Sequence, residues 1–178
     1  MDVQQTPPLL VADPKALRRA FGAYATGVTV VSVGGDTPHG MTANSFTTVS
    51  LDPPLILICV GHEAIMHDVL ETTNRFAVSV LGSGQEAVAR YFADRNRPLG
   101  KEQFDAVDWT TGRFSGAPLI DGALAHFECE VRARHEGGDH TIYLSELLSV
   151  ERADDDDALL FLHGRFHQIH HERSDVTK

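Results

Sequence analysis

Residues 26–54 constrain this chain more than any other stretch. They open on Thr-Gly-Val-Thr-Val-Val-Ser, pass through a Gly-rich turn, and continue as Gly-Met-Thr-Ala-Asn-Ser-Phe-Thr-Thr-Val-Ser-Leu-Asp-Pro-Pro. The β-branched runs and the intervening glycines read as two strands around a hairpin. Between the apolar runs, Thr42, Ala43, Asn44, Ser45, Thr47, Thr48 and Ser50 offer only small side chains, hydroxyls and an amide. Small side chains let a flat ligand approach the backbone, and the polar groups supply hydrogen bonds. A polar segment this dense between two apolar strands does not suit a core.

The rest of the chain supports a mainly β fold. Asp13-Pro14 is an N-cap followed by a proline at the first helical position, and it predicts a helix through Leu17 to about Tyr24. Val28 to Val33 predicts a strand, Gly34 to Gly40 a hairpin or short loop, and Phe46 to Ser50 a second strand ended by Asp52-Pro53-Pro54. Leu55 to Val60 is continuously apolar and reads as a strand buried on both faces. Glu63 to Thr73 reads as a helix with Ile65, Val69 and Leu70 on one side, Phe76 to Leu81 as an alternating strand, and Gln85 to Ala93 as a helix. Asp94 to Gly116, rich in charge, Gly and Pro, reads as a mobile loop over a site. Three long strands close the pattern: Gly122 to Arg134, Thr141 to Arg152 and Ala158 to Ile169. Gly137-Gly138-Asp139 and Asp154 to Asp157 turn between them. Long strands with few helices and no βαβ alternation predict a closed or nearly closed antiparallel barrel, Greek-key-like, with covering helices. The 178 residues suit one domain over 13–170, with a loose arm at 1–12 and a short tail at 171–178.

Charge narrows the partners. With 25 acidic against 15 basic residues, net −10, the surface is wrong for nucleic acid and for anionic membranes. An anionic ligand must be held by local donors. No apolar run approaches membrane-spanning length, and residues 1–12 lack a signal-peptide core. The two cysteines, Cys59 and Cys129, sit in apolar runs as buried free thiols and suit a reducing cytoplasm.

Familiar catalytic motifs do not occur. There is no G-x-G-x-x-G after a strand, no phosphate loop and no G-x-S-x-G elbow. Among the ten histidines, His163 and His167 would share a strand face, and His170 and His171 crowd the same end. No third ligand type joins them at a metal-binding spacing. The Asp154–Asp157 carboxylates point to alternate faces of an extended chain and read as a solvated turn. His62 and His67 bracket a helix start as surface or cofactor-edge residues. His140, where Gly137-Gly138-Asp139 enters a strand, is either an exposed turn histidine or one projecting over a barrel mouth.

The segments FGAYATGVTVVSV, GMTANSFTTVSLDPPLILICV, MHDVLETTNRFAVSVL, GAPLIDGALAHFECEV and GDHTIYLSEL resemble, in order and spacing, the short-chain flavin reductase family, the reductase components of two-component flavin monooxygenases. The resemblance runs from about Leu17 to Phe166. It implies an FMN-binding split barrel, a homodimer with flavin near the subunit interface, and oxidation of NADH or NADPH with reduction of FMN or FAD. On that footing Thr29, Val30, Thr42, Ala43, Asn44 and Ser45 would meet the polar edge of the isoalloxazine, with Asn44 and Ser45 foremost. Ser50, Asp52 and Pro53 would shape the adjoining turn, and Thr47 and Thr48 would approach the ribityl chain or phosphate. The helix start at Ala64 would offer N–H groups to the phosphate. His140 would lie on the nicotinamide side, and Phe166 would pack on the ring. Any of Arg90, Arg95, Arg97 and Arg113 is a candidate for the 2′-phosphate of NADPH. Three departures stand out: Glu63-Ala64 where a serine is common, Ser79, and Ser145-Glu146-Leu147. The expected activity is an NAD(P)H:flavin oxidoreductase feeding a separate oxygenase. The alternatives are a flavin-binding module without turnover and a flavin enzyme with its own small substrate.

Overall fold

The computed structural model describes residues 13–153 and 157–169. The expected arm at 1–12, most of the Asp154–Asp157 turn, His170, His171 and the 171–178 tail lie outside the described residues.

Helix α1 (Pro14–Phe21) forms where the cap predicts, with the Asp13 carboxylate accepting from the Lys15 N–H at 2.9 Å. The short β1 (Thr26–Gly27) leads into β2 (Thr29–Val33), β3 (His39–Ala43), β4 (Thr47–Leu51) and β5 (Pro54–Gly61). Helix α2 (Ile65–Thr72), β6 (Arg75–Val80), a 3-10 turn at Ser83–Gln85 and helix α3 (Glu86–Ala93) follow. A second 3-10 turn (Gly100–Phe104) precedes β7 (Trp109–Thr111), β8 (Pro118–Ile120), β9 (Ala125–Gly137), β10 (His140–Arg152), β11 (Ala158–Leu162) and β12 (Arg165–Ile169).

All pairings are antiparallel. The main sheet runs β3-β2-β6-β9-β10-β5-β4, a second joins β1-β11-β12, and β7 pairs β8. Among the described residues no pairing joins the two edges, β3 and β4, so the barrel is split rather than closed. One core cluster, including Ile56, Ile58, Phe76 and Tyr143, lies with Met66 and Leu70 of α2. A second, including Val30, Leu81, Ile120 and Leu159, lies with Ala89 and Phe92 of α3. Strand β3 contacts both helices.

Several expectations change. Strand β5 is buried on one face only: Ile56, Ile58 and Val60 are inside, while Leu55, Leu57 and Cys59 stay partly open. Its continuous apolar run hides this alternation. Strand β6 is instead buried on both faces over Phe76–Ser79, because Ala117 and Leu119 of the β8 segment cover Ala77. There the departure Ser79 is put to use, its hydroxyl accepting the Ile120 N–H at 3.1 Å. Helix α2 buries Met66 and Leu70, leaving Ile65 exposed. The expected single strand over 158–169 is a hairpin. His163 (φ 50°) and Gly164 (φ 74°) both take positive φ, the geometry that reverses a two-residue turn. His163 therefore sits in a turn and His167 on the returning strand, and no metal-ligand cluster exists among the described residues. The 94–116 segment is not a free loop: Phe104 is in the core, and Gln103 is wholly buried and hydrogen-bonded at both ends of its amide.

Candidate functional site

Strand β3 is an edge, and its outer side is the centre of the site. Gly40 turns its N–H and C=O away from β2: the N–H donates to Gln103 Oε1 at 2.8 Å, and the carbonyl accepts from the Arg97 guanidinium. By the two-residue period of a strand, Thr42 aims its N–H and C=O the same way. Neither Thr42 backbone group has a partner among the described residues. An edge strand with unpaired groups is a ready hydrogen-bonding rail.

Two clefts follow that rail. One, of about 370 Å³, lies between β3 (His39, Met41, Thr42), the α2 entrance (Glu63, Ala64, Ile65) and the α3 exit (Phe92, Ala93, Arg95, Arg97). The other, of about 160 Å³, is bounded by Val28, Thr42, Ala43, Asn44, Ala93, Phe161 and Phe166. They share Thr42 and Ala93 and so adjoin along one groove. The smaller cleft is mostly apolar-walled. Phe166 stands edge-on to Phe161 at 5.3 Å, with the Arg90 guanidinium 4.9 Å from its ring centre.

The groove gathers Thr42, Ala43, Asn44, Ala64 and Phe166 of the expected residues. Asn44 is exposed, and its amide has no partner among the described residues. The Thr42 hydroxyl donates to the Ala89 carbonyl at 2.7 Å, so Thr42 offers its backbone and not its hydroxyl. Ala64 is the N-cap of α2 and lacks a side-chain cap. That helix entrance borders the larger cleft through Glu63, Ala64 and Ile65.

The other expected residues are employed elsewhere. Thr29 is buried and donates its hydroxyl to the Ala43 carbonyl at 2.8 Å, and Val30 is fully buried with β3 and β6 paired on either side. The Ser45 hydroxyl donates to the Cys59 carbonyl (2.8 Å) and accepts the Cys59 N–H (3.1 Å), stitching the β3–β4 corner to β5. Thr47 and Thr48 are exposed on β4 and line neither cleft. The Ser50 hydroxyl accepts from the Asp52 N–H at 3.2 Å, in the tight turn that holds the cis Asp52–Pro53 bond. His140 pairs with Gly61 at the far end of β5 from that turn, about 24 Å away at strand rise. One ring cannot touch both within one chain.

His140 lines neither cleft. Its side chain is 46% exposed and its Nδ1 lies 2.7 Å from the Asp139 carboxylate. That contact, first as a hydrogen bond and then through charge, holds the Asp139 carboxyl below its usual range. The neighbouring His62 and His67 both present Nε2 to the Thr141 hydroxyl, at 3.3 and 3.0 Å.

Residues missed by sequence reasoning come chiefly from the 94–116 segment and from β3 itself. Burial, and then the Arg97 charge, push the His39 imidazole down to about 4, so it is neutral in the groove wall. Arg97 loses solvent in the same wall, and its Nε–H is buried without a partner among the described residues. Nothing local in the sequence marks these positions; the arginines were visible but not placeable. Of the four arginines considered, Arg95 and Arg97 reach the groove, Arg90 pairs with Glu86 at 2.7 Å, and Arg113 stacks on Phe114.

A planar ring with a heteroatom edge and an anionic tail fits this arrangement: free backbone groups for the edge, an aromatic wall for the face, and guanidinium and helix N–H groups for the tail. Comparison with known proteins agrees. Residues 21–170 match the model of the flavin reductase like domain. An NADH-dependent FAD reductase of Streptomyces globisporus is 57% identical over 166 residues, 92% of this chain and 91% of the relative. The solved NADH:FAD oxidoreductase of Streptomyces globisporus, in complex with NAD and FAD fragments, superposes with TM-score 0.85 at 53% identity, covering 94% of this chain and 100% of that one. The flavin reductase component of a bacterial two-component tryptophan halogenase superposes with TM-score 0.86 at 51% identity, covering 89% and 99%. With its split antiparallel barrel, its edge-strand groove and these likenesses, the chain belongs to the flavin reductase family.

Proposed function

We propose that this protein is an NADH-dependent flavin reductase that reduces FAD or FMN and passes the reduced flavin to a separate monooxygenase or halogenase component. The observation that carries the reading is the free outer edge of β3 at Thr42, set in a groove between an aromatic wall and a cationic cleft. Bound flavin supplies a hydride acceptor for the reduced nicotinamide, so the protein needs no nucleophile. Its own residues bind and orient. The Thr42 N–H and C=O and the Asn44 amide pair with the polar ring edge, and Phe166 excludes water from the ring. Arg95 and the first turn of α2 at Ala64 would hold the phosphates, while the Arg97 guanidinium is engaged by the Asp94 and Gly40 carbonyls. His140, whose Nε2 has no partner among the described residues, serves the nicotinamide side. Because it lines neither cleft of its own chain, it does so from across a subunit boundary.

A homodimer supports that geometry. The outward face of β5 and β10 carries partly exposed Leu57, Cys59, Ile142 and Leu144, continued by Val49 (46% exposed) at the β4 bulge. A second copy would bury this apolar stripe. Cys59 and Cys129 are both free thiols, which favours a reducing cytoplasm, and no described helix is long and apolar enough to cross a membrane.

The test is nicotinamide oxidation by purified protein with and without each flavin. NADH should be consumed only when FAD or FMN is present, and His140→Ala should slow turnover while flavin affinity is retained. Absence of oxidation with either flavin and either nicotinamide, with flavin still bound, would establish the binding-module alternative instead.

A further inference from the structure

We infer that Gln103 and Arg97 are positioning residues that set which part of the β3 edge is left for the flavin, acting through the backbone of Gly40. The inference rests on the reductase reading of the groove. Gly40 is held from three directions. Its N–H donates to Gln103 Oε1, its carbonyl accepts from Arg97, and a Cβ built on it would meet Phe92 Cε1 at 2.7 Å and Phe104 Cζ at 3.2 Å. No side chain other than hydrogen fits between those rings.

Gln103 is built for this task. It is wholly buried and uses its entire amide: Oε1 accepts from Gly40, while Nε2 donates to the Pro38 carbonyl at 2.8 Å and the Gly100 carbonyl at 2.9 Å. It thus stands in for a neighbouring strand from Pro38, just ahead of β3, to Gly40 and caps the edge there. Arg97 completes the cap and is itself held by the Asp94 carbonyl at 2.6 Å. The edge groups that remain open begin two residues later, at Thr42. A slip of β3 by one residue would turn Thr42 toward β2 and present Met41 instead. The cap therefore fixes both the register and the extent of the binding rail. It also explains why a charged, turn-forming segment distant in sequence is tied down beside the groove.

Gln103→Met keeps the length and removes every hydrogen bond. Steady-state kinetics should show flavin KM raised about tenfold with kcat per flavin-binding site little changed, because the rail is misaligned while the hydride geometry of correctly seated flavin is kept. Gln103→Glu adds a pH readout. A buried carboxylate cannot donate to the Pro38 and Gly100 carbonyls, whereas the protonated acid regains one donor. Its flavin KM should fall toward the wild-type value as pH is lowered from 8 to 6, a trend the wild type should lack. Should Gln103→Met fail to fold, Arg97→Lys, which keeps charge but loses the fork, carries the same test with a raised flavin KM expected. Wild-type flavin KM in the folded variants, or a loss confined to kcat, overturns the inference. A wild-type protein without flavin-dependent NADH oxidation overturns the reductase reading itself.

Discussion

Ser45→Ala separates two accounts of the same hydroxyl. Sequence reasoning places Ser45 on the flavin; the structure places it on Cys59, donating to the carbonyl at 2.8 Å and accepting the N–H at 3.1 Å. In effect the side chain extends the β4–β5 ladder by one rung at the corner where the chain leaves β3. Alanine removes both bonds and leaves a donor and an acceptor of β5 facing a methyl group. At about 1 kcal/mol net for each bond, the loss is roughly 2 kcal/mol. For a chain of this size, each kcal/mol moves the midpoint about 2–4 °C, so a fall of about 4–8 °C is expected. Thermal unfolding by circular dichroism measures this, and flavin titration by fluorescence measures affinity on the same sample. Below the transition the affinity per folded molecule should change by less than about threefold, since the hydroxyl itself does not reach the groove. A midpoint within about 1 °C of wild type, together with a large loss of flavin affinity, would show that the hydroxyl is a flavin ligand and that the staple argument is wrong.

Asn44→Ala should behave in the opposite way. Its amide is exposed and unpaired among the described residues, so the unfolding midpoint should hold while flavin Kd rises about tenfold; unchanged affinity would remove Asn44 from the site. His39 gives a pH signature. Its imidazole is pushed from 6.5 down to about 4, chiefly by burial and then by Arg97, so between those values the unfolded chain holds the proton and the folded chain does not. Stability from this group is complete above the upper value and is lost as pH falls through the window, and His39→Gln should flatten that part of the curve measured by urea unfolding. An identical slope in the variant would refute the assignment. Burial, with a further contribution from Glu128, pushes the Cys129 thiol up to about 12, and burial raises Cys59 more modestly. A thiol reagent at pH 8 should therefore label Cys59 slowly and Cys129 only after denaturation, read by mass spectrometry, and rapid native labelling of Cys129 would contradict its burial.

Local chemistry was legible wherever partners lie close in sequence. The Asp13-Pro14 cap, the Gly137–Asp139 turn between β9 and β10, the α3 helix and the small polar run at 42–45 all follow from propensities acting within a few residues. So does the family, whose motifs are contiguous. What tertiary structure decided is which polar groups are already spent. Thr29, Thr42 and Ser45 look equally free on paper, but each hydroxyl finds a backbone carbonyl, in the case of Thr42 one 47 residues away. Gly40 needs Gln103, 63 residues on, before its part of the edge is closed. Strand β3 is not legible in the sequence because its small and polar residues lack a strand's apolar alternation; it is held by pairing with β2 and by packing against α2 and α3. The His163-Gly164 reversal was missed because apolar residues continue on both sides of it. A sequence records the donors and acceptors a chain carries. Which of them remain open to a ligand depends on long-range pairing, and that is settled only when distant segments pack.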